Sequence, residues 1–507
     1  MNKELMYNFI NKWYGQVLLT LLSALLLILS TAGFGLSFTV FFAFIPLLFA
    51  LNAEKSRPVI TGWLLGFLYW AVCLSWMMIT FGYFGGAPLP AAFGLLMFIA
   101  LSGGFFFFVP FTYAAAKISK NPIILSLIFV MLEAIKGKVF FGGVPWLNLA
   151  QSQYQNTLIV QNVSVFGEYG LSFIIILINF FLYYIIKDYK NKKNYYMLAS
   201  AVIIMILPGI YRMINPVPYT DTKKIAVVQP AYKQEIKWDN NYRIQIINEV
   251  NSLVLKAYNA DVDMIVLPES SYPAKVLATD MIMSVLNKVS EKTPVIFGAD
   301  RRMNIDNKSR LFNTMVLLDN KSLSFYDKRH LTPFGEYFPF EKLLAPVKEF
   351  FFGPGDMFTP GEKATVLASS KTGIYAGPVI CFESAFSSLA GEPVRMGANM
   401  LVIISNDTWF GKNQGRIQHL AVDTIRSVEY GRSAVRATQD GISAFIMPDG
   451  KIPLKEDKQI PAILIYDVPV TNFMTFYSLA GNIWIAILIP LLYYQMKRKK
   501  KKDNLNG

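Results

Sequence analysis

Cys381 stands at the end of an apolar, strand-like run, residues 377–380, at the point where the chain turns polar. The chain contains one other cysteine, Cys73, which lies in a long apolar segment far upstream, so Cys381 has no obvious disulfide partner. A free cysteine is most often a small buried hydrophobe. A thiolate is also a strong nucleophile, which makes Cys381 a candidate catalytic residue if suitable neighbours reach it.

Other polar side chains also follow apolar, strand-like runs. Glu269 follows the run 264–268, Lys328 follows 323–326, and Asn406 and Trp409 follow 401–405. Sites in α/β folds tend to lie off the carboxyl ends of strands, so we expect these side chains to meet near Cys381. Together they offer a nucleophile, a carboxylate base and a cation.

Histidines are scarce in this chain. His330 and His419 are the two present, which excludes an HExxH zinc site and a His-rich metal site. Neither a GxGxxG nor a Walker-type loop occurs in the sequence, so we expect no cofactor and no metal. On spacing alone, a Cys–His pair with either histidine stays an alternative to the carboxylate base.

The composition indicates a membrane protein. Of the 507 residues, 53% are hydrophobic and only 16% are charged, whereas an ordinary soluble domain carries about 25% charged residues. We expect seven membrane spans before residue 215 and an eighth near the end, each approaching the ~20 residues that cross a bilayer. The expected spans are 14–33, 35–52, 59–81, 90–116, 121–141, 165–186, 195–213 and 476–496.

The net charge of +14 is explained by the loops between these spans. Alternate loops and the tail 497–502 are basic, whereas the loops 82–90 and 141–163 contain no charged residue. The positive-inside rule therefore places both termini in the cytoplasm and residues 215–471 on the outer face. Because the basic residues follow the topology, we expect no nucleic-acid partner.

The fifth span is the weakest, because it contains Glu133, Lys136 and Lys138. Charges at membrane depth are often functional. The alternative is that the lysines reach an interface or pair with Glu133, and the sequence leaves both interpretations open.

Residues 215–471 alternate strand-like runs with amphipathic ones, which predicts a layered α/β domain large enough for a full core. Helical spacing covers 242–258 and 415–430, whereas strand-like runs include 224–228, 264–267, 295–297, 314–318, 400–404 and 443–447. We therefore expect a membrane domain at 1–214, a catalytic domain at 215–471, and an eighth span with a basic tail at 472–507.

Three motifs carry a family resemblance. They are Leu267-Pro268-Glu269-Ser270, Tyr326-Asp327-Lys328 continuing to Glu336, and Ile380-Cys381-Phe382-Glu383. They resemble the Glu-Lys-Cys signature of the nitrilase superfamily, and within it the membrane-bound apolipoprotein N-acyltransferases. Further matches, such as Asn406-Asp407-Thr408-Trp409 and Pro145-Trp146-Leu147-Asn148, extend the resemblance over nearly the whole chain.

The resemblance implies a nitrilase-like αββα sandwich on the outer face of a bacterial cytoplasmic (inner) membrane. The family moves a fatty acyl chain from a phospholipid to the α-amino group of an apolipoprotein's S-diacylglyceryl-cysteine. The partners implied are thus the phospholipid donor, the apolipoprotein acceptor and the bilayer. A membrane-tethered amidohydrolase with the same triad is the alternative function.

The resemblance also assigns roles to residues. Cys381 would be the nucleophile that forms an acyl-thioester, Glu269 the general base, and Lys328 the oxyanion stabiliser, together with the backbone N–H of Phe382. Supporting or substrate-binding positions would be Glu336, Glu383, Trp238, Trp409, Asn313 and Asn406. Phe382 departs from the family pattern, which usually has Tyr at this position.

Two structural expectations follow. A glutamate that takes a proton from a thiol needs a raised pKa, so we expect Glu269 to lie deeper than the Lys328 ammonium. The loop 350–355, Phe-Phe-Phe-Gly-Pro-Gly, combines aromatic residues with glycines and is a candidate lid.

Overall fold

The structure is a computed structural model that describes residues 3–84, 86–139, 142–232, 234–237, 239–338, 357–490 and 493–494. The first 214 residues are helical. The α-helices are Lys3–Asn11, Trp13–Ser30, Ile45–Leu51, Pro58–Cys73, Met77–Ile79, Leu89–Gly103, Val109–Tyr113, Pro122–Lys136, Val163–Lys187 and Lys192–Ile214. Short 3₁₀ segments are Ser37–Phe41, Leu149–Gln153 and Val160–Asn162, and π-helical turns are Thr80–Phe84, Gly104–Phe108 and Ala114–Ile118.

Four helices of the described residues are long and apolar enough to cross a membrane. They are Trp13–Ser30, Leu89–Ile118, Val160–Lys187 and Lys192–Ile214. They coincide with the first, fourth, sixth and seventh expected spans. The second and third expected spans fall on the shorter apolar helices Ser37–Leu51 and Pro58–Cys73. Length and composition thus support four of the eight expected spans.

The C-terminal half contains two six-stranded sheets. The first has the order β12-β1-β2-β3-β4-β5 and the second β11-β10-β9-β8-β7-β6. The strands are β1 Asp221–Gln229, β2 Met264–Val266, β3 Val295–Ile305, β4 Lys308–Asp319, β5 Ser322–Asp327, β6 Leu367–Ser369, β7 Ile374–Ile380, β8 Met400–Ser405, β9 Ala434–Thr438, β10 Ser443–Ile446, β11 Leu454–Glu456 and β12 Ala462–Val470.

Helices cover the outer face of each sheet. The first sheet packs against Arg243–Asn259 and Asp280–Ser290, and the second against Ser387–Arg395 and Gln414–Tyr430. Alternate side chains of the strands, such as Val227, Ile296 and Ile404, meet in an apolar core between the two sheets. This arrangement confirms the expected αββα sandwich. Other helices among the described residues of this half are Gln234–Lys237, Phe476–Ala480 and the helical residues 483–490. The 3₁₀ turns are Val276–Ala278, Cys381–Ala385 and Asp407–Phe410.

The helix Gln414–Tyr430 joins the two halves and is buried along almost its whole length. Its Arg426 pairs with Glu168 of the membrane half and, at 3.0 Å, with Glu429 of its own helix. Its Gln418 accepts hydrogen bonds from the indole nitrogens of Trp76 at 3.0 Å and Trp146 at 2.9 Å. Polar contacts therefore fix the sandwich against the membrane half.

The charged residues of the fifth expected span bond to a loop. Glu133 and Lys136 are both buried. The Lys136 ammonium donates to the carbonyl of Trp146 at 2.7 Å, and Glu133 accepts the N–H of Leu149 at 2.9 Å. These two residues therefore hold the Trp146–Leu149 backbone, rather than simply reaching an interface.

Candidate active site

Cys381 follows β7 directly and begins the 3₁₀ turn Cys381–Ala385. Its φ of +52° lies in the left-handed region, which costs a non-glycine residue about 1–3 kcal/mol. The strand β7 pairs in parallel with β8, with Ile380 opposite Ile404. The sharp change of direction after Ile380 presents the cysteine at the carboxyl edge of the second sheet.

Glu269 lies at the matching edge of the first sheet, just after β2. Its Oε1 accepts a hydrogen bond from the Asn313 amide at 2.6 Å, and its Oε2 accepts the backbone N–H of Asn406 at 2.9 Å. Because Asn406 follows β8, this second bond ties the two sheets together at the site. Both expected amide residues thus contact the expected base.

Lys328 follows β5, which runs in the same direction as β3 after two antiparallel turns. Its Nζ lies 2.9 Å from Glu336 Oε1 and 2.8 Å from Oε2, and 3.7 Å from Glu269 Oε1. Burial lowers the pKa of Lys328, but the charges of Glu336 and Glu269 outweigh it, and the net pKa lies well above its usual value. Lys328 is therefore a permanent cation.

The expected order of burial is wrong. The Lys328 side chain is 1% exposed and that of Glu269 is 8% exposed, so the base is the more accessible of the two. Two carboxylates compensate the lysine charge, which allows complete burial. Glu269 receives its stabilisation instead from the amide groups of Asn313 and Asn406.

The thiol of Cys381 is protonated at rest. Burial raises its pKa well above the usual range, the Glu269 charge raises it further, and the Lys328 charge opposes both. The charges of Glu269 and Lys328, which lie 3.7 Å apart, thus both act on the Cys381 thiol. Thiolate formation therefore requires proton transfer to a neighbouring base as the substrate is attacked.

Glu336 and Glu383 occupy different positions around the three groups. Burial raises the pKa of Glu336, but the Lys328 charge and hydrogen bonds outweigh it and leave the pKa below its usual value. Glu383 accepts the N–H groups of Ile380 at 2.9 Å and Arg329 at 2.7 Å. Glu383 thereby links the backbone just before Cys381 to the backbone just after Lys328.

The aromatic positions differ in what the structure describes. Phe382 packs near the indole of Trp146, with ring centroids 6.4 Å apart, and near Phe386 at 5.4 Å. Trp409 is 36% exposed in the turn after β8, a position compatible with substrate contact. Trp238 and the candidate lid 350–355 lie outside the described residues.

One contributing residue was missed from the sequence. A Cβ placed on Gly298 of β3 would lie 2.8 Å from Glu269 Cα and 3.3 Å from Ile404 Cδ1. Glycine thus permits the close approach of β3 to the segment that holds the base. A glycine within a strand-like run is a signal for such an approach, so this role was open to prediction.

Comparisons with known proteins agree with this geometry. An αββα sandwich with Glu269, Lys328 and Cys381 at its strand ends defines a carbon-nitrogen hydrolase domain, and the family model of that description matches residues 224–473. A second model, the apolipoprotein N-acyltransferase N-terminal domain, matches residues 23–181. The chain belongs to the apolipoprotein N-acyltransferase family.

Individual relatives extend over most of the chain. The apolipoprotein N-acyltransferase of Haemophilus influenzae is 28% identical over 98% of this chain and 98% of its own length. That of Geobacter metallireducens is 29% identical over 92% of each chain. A solved amidase from Nesterenkonia sp. covers 50% of this chain and 93% of its own, with 16% identity and a TM-score of 0.36.

Proposed function

We propose that the protein transfers a fatty acyl group from a membrane phospholipid to the α-amino group of the S-diacylglyceryl-cysteine of apolipoproteins. The observation that carries this proposal is the contact between Phe382, the residue after the nucleophile, and Trp146 of the membrane half, with ring centroids 6.4 Å apart. A site for a soluble amide has no need of such a contact. A site for an acyl chain that stays in lipid does need one.

The proposed topology has eight spans, both termini in the cytoplasm of a bacterium, and the catalytic domain on the outer face of the inner membrane. Its domains are 1–214, 215–471 and 472–507. The four long apolar helices and the charge pattern of the loops support it. With this topology the site faces the compartment into which lipoproteins are exported.

In the first half-reaction, Glu269 takes the proton of the Cys381 thiol while the sulfur attacks the ester carbonyl of the phospholipid. The resting thiol has a raised pKa, and the reference values of Glu and Cys already differ by ~4 units, or ~6 kcal/mol. Bond formation must therefore accompany proton transfer. The tetrahedral oxyanion receives hydrogen bonds from Lys328 and the Phe382 N–H, each worth roughly 3–4 kcal/mol.

Collapse of this intermediate breaks the ester C–O bond. Glu269 returns its proton to the oxygen of the departing lysophospholipid, and the acyl group remains on Cys381 as a thioester. In the second half-reaction the α-amine of the acceptor attacks the thioester, and Glu269 takes the amine proton. The Cys381 thiolate leaves, is reprotonated by Glu269, and the amide product is released.

Neighbouring residues hold the side chains of Glu269, Lys328 and Cys381 in position through both half-reactions. Asn313 donates to Glu269 at 2.6 Å and to Glu336 at 2.7 Å, so one amide spaces the two carboxylates around the lysine. Glu383 accepts the Ile380 N–H and so fixes the turn Cys381–Ala385, which we call the nucleophile turn. Trp409 is proposed to contact the substrate chains. Exclusion of water favours transfer, because hydrolysis of the thioester would waste the acyl group.

The test uses the full-length protein in proteoliposomes with phosphatidylethanolamine that carries an alkyne-tagged acyl chain. Wild type should form a tagged, hydroxylamine-sensitive thioester that mass spectrometry locates on Cys381. Addition of a synthetic diacylated lipopeptide should move the tag to the peptide amine. The Cys381→Ala variant should do neither, and acyl transfer by that variant would refute the proposal.

The same assay separates the alternative function. A membrane-tethered amidohydrolase would release free tagged fatty acid or cleave an amide, and no tagged lipopeptide would appear. The exposed pair Lys292–Asp261 provides a matched control, because Lys292→Ala lies on the surface of the same domain and should leave transfer unchanged.

A further inference from the structure

His419 contacts the nucleophile turn, Cys381–Ala385. It belongs to the helix Gln414–Tyr430 and is 1% exposed. Its Nε2 lies 3.3 Å from the carbonyl oxygen of Cys381 and 3.1 Å from the Ser384 hydroxyl, and its Nδ1 lies 2.9 Å from Asp407 Oδ1. The imidazole therefore bridges a buried carboxylate and the peptide unit that follows the nucleophile.

The partners define where the protons are. The carbonyl oxygen of Cys381 can only accept a hydrogen bond, and so can the ionised carboxylate of Asp407. Burial raises the pKa of Asp407, but Arg436 and His419 outweigh it and the net pKa is well below its usual range. Nδ1 of His419 therefore carries a proton. A proton on Nε2 satisfies the Cys381 carbonyl, and the nearer Ser384 hydroxyl can accept from it as well, so we infer an imidazolium.

The surrounding charges agree with an imidazolium. The ionisable groups that act on His419 are Asp407, Asp423 and Arg436. Two carboxylates against one guanidinium leave one positive charge to be supplied, and the imidazolium supplies it. Burial lowers the pKa of His419, but the two carboxylates outweigh it and the net pKa is raised.

A bond to the Cys381 carbonyl also orients the next N–H. The peptide unit between Cys381 and Phe382 is trans and planar, so its C=O and N–H point in opposite directions. A donor that fixes the direction of this carbonyl therefore also fixes the direction of the Phe382 N–H. The hydrogen bond also polarises the peptide and strengthens that N–H as a donor.

The imidazole itself is held in place. Trp146 and Phe410 flank it, with ring centroids 5.7 Å and 5.8 Å away. The left-handed φ of Cys381 is strained and persists only where surrounding groups hold the backbone. A fixed imidazole bonded to the Cys381 carbonyl supplies such a contact.

We propose that His419 is a positioning residue for the oxyanion hole: its Nε2–H holds the Cys381 carbonyl so that the Phe382 N–H faces the carbonyl under attack. This inference rests on the proposed function, because it describes a donor to the oxyanion of that reaction.

The test compares two reactions of the same sulfur in a Cys73→Ala background, which leaves Cys381 as the single thiol. Acylation by tagged phosphatidylethanolamine passes through an oxyanion and needs the Phe382 N–H. Alkylation by iodoacetamide displaces iodide at a saturated carbon and forms no oxyanion. Loss of the positioning residue should therefore slow acylation and spare alkylation.

Two substitutions distinguish the contributions of the two ring nitrogens of His419. His419→Gln places an amide N–H near the position of Nε2 and can still donate to the Cys381 carbonyl. His419→Asn places its amide near Nδ1 and can donate only to Asp407. We expect acylation within about fivefold of wild type for Gln and roughly 10²-fold slower for Asn, with similar alkylation rates.

Acylation that is faster in the Asn variant than in Gln, or equal in both, would overturn the inference, because His419 would then serve only to balance Asp407. A parallel fall of the acylation and alkylation rates would also overturn it. The substitution would then have displaced the whole nucleophile turn rather than the Phe382 N–H alone. A wild-type protein that forms no thioester would instead refute the proposed function.

A wild-type measurement keeps the inference testable if a variant does not fold. The imidazolium is present below the folded pKa of His419 and is lost as the pH rises through it. Alkylation accelerates with pH because the thiolate fraction grows, so the acylation rate itself is the readout. That rate should fall as the imidazolium is lost, while Lys328 stays protonated. An acylation rate that does not fall between pH 6 and pH 10 would contradict the role.

Discussion

Glu336 holds the ammonium of Lys328 with both carboxylate oxygens, Oε1 at 2.9 Å and Oε2 at 2.8 Å. Glu269 lies farther from the same nitrogen, at 3.7 Å. The lysine charge is therefore neutralised mainly by Glu336, which leaves Glu269 available to accept a proton. This division of roles between two carboxylates is the basis of the first prediction.

Glu336→Gln should reduce acyl transfer at least tenfold and lower the free energy of unfolding by roughly 3–5 kcal/mol, because it removes one partner of a buried ion pair. The pKa of Glu336 is lowered, so its stabilising contribution exists above the unfolded pKa of about 4.3 and disappears as the pH falls through the folded value. The variant should thus lose part of the acid dependence of thermal unfolding. Glu392→Gln is the control: the Glu392 side chain, which pairs with Arg329, is 39% exposed, and the change should alter stability by less than about 1 kcal/mol.

Alkylation of Cys381 should report its raised pKa. In the Cys73→Ala background, the rate of modification by iodoacetamide should still rise above pH 9, because the thiolate fraction is still growing there. Glu269→Gln should accelerate alkylation at pH 8, since the carboxylate charge raises the thiol pKa, and should abolish acyl transfer. A plateau below pH 8.5 in the wild type would contradict this account of the resting thiol.

Phe382→Tyr should change acyl transfer by less than about threefold. The ring packs near Trp146, Phe386 and His330, and the catalytic contribution of Phe382 comes from its backbone N–H. Phe382→Ala removes these contacts and should lower transfer more strongly than Tyr does. If Tyr raised the rate tenfold or more, a hydroxyl at this position would have a chemical role that this chain lacks.

Gly298→Ala should impair catalysis without changing any polar group. The added Cβ would lie 2.8 Å from Glu269 Cα and 3.1 Å from the Ser270 nitrogen, so the backbone that holds the base must shift. A displacement of this kind can cost about 10²-fold in rate. Gly94→Ala is the matched control, because no atom lies within 4 Å of its added Cβ, and it should retain full activity. Initial rates of lipopeptide acylation would measure both.

Several features followed from the sequence because they depend on local patterns. Alternating strand-like runs and amphipathic helices predicted a layered α/β domain, and the family resemblance implied the αββα sandwich. The polar residues after those runs predicted which side chains meet. Glu269, Lys328 and Cys381 each follow a strand, and parallel strands deliver their carboxyl ends to one edge. The charge pattern of the loops predicted a topology in the same way, since it depends only on residue order.

Tertiary structure alone decided the order of burial and the partners of each charge. Lys328 is deeper than Glu269 because Glu336, eight positions along the chain, turns back to compensate it. Likewise, Arg426 reaches Glu168 across 258 residues, and His419 reaches the Cys381 carbonyl across 38. The physical reason is that the cost of burying a charge depends on which groups of opposite charge converge on it, and convergence is set by packing of distant segments rather than by local sequence.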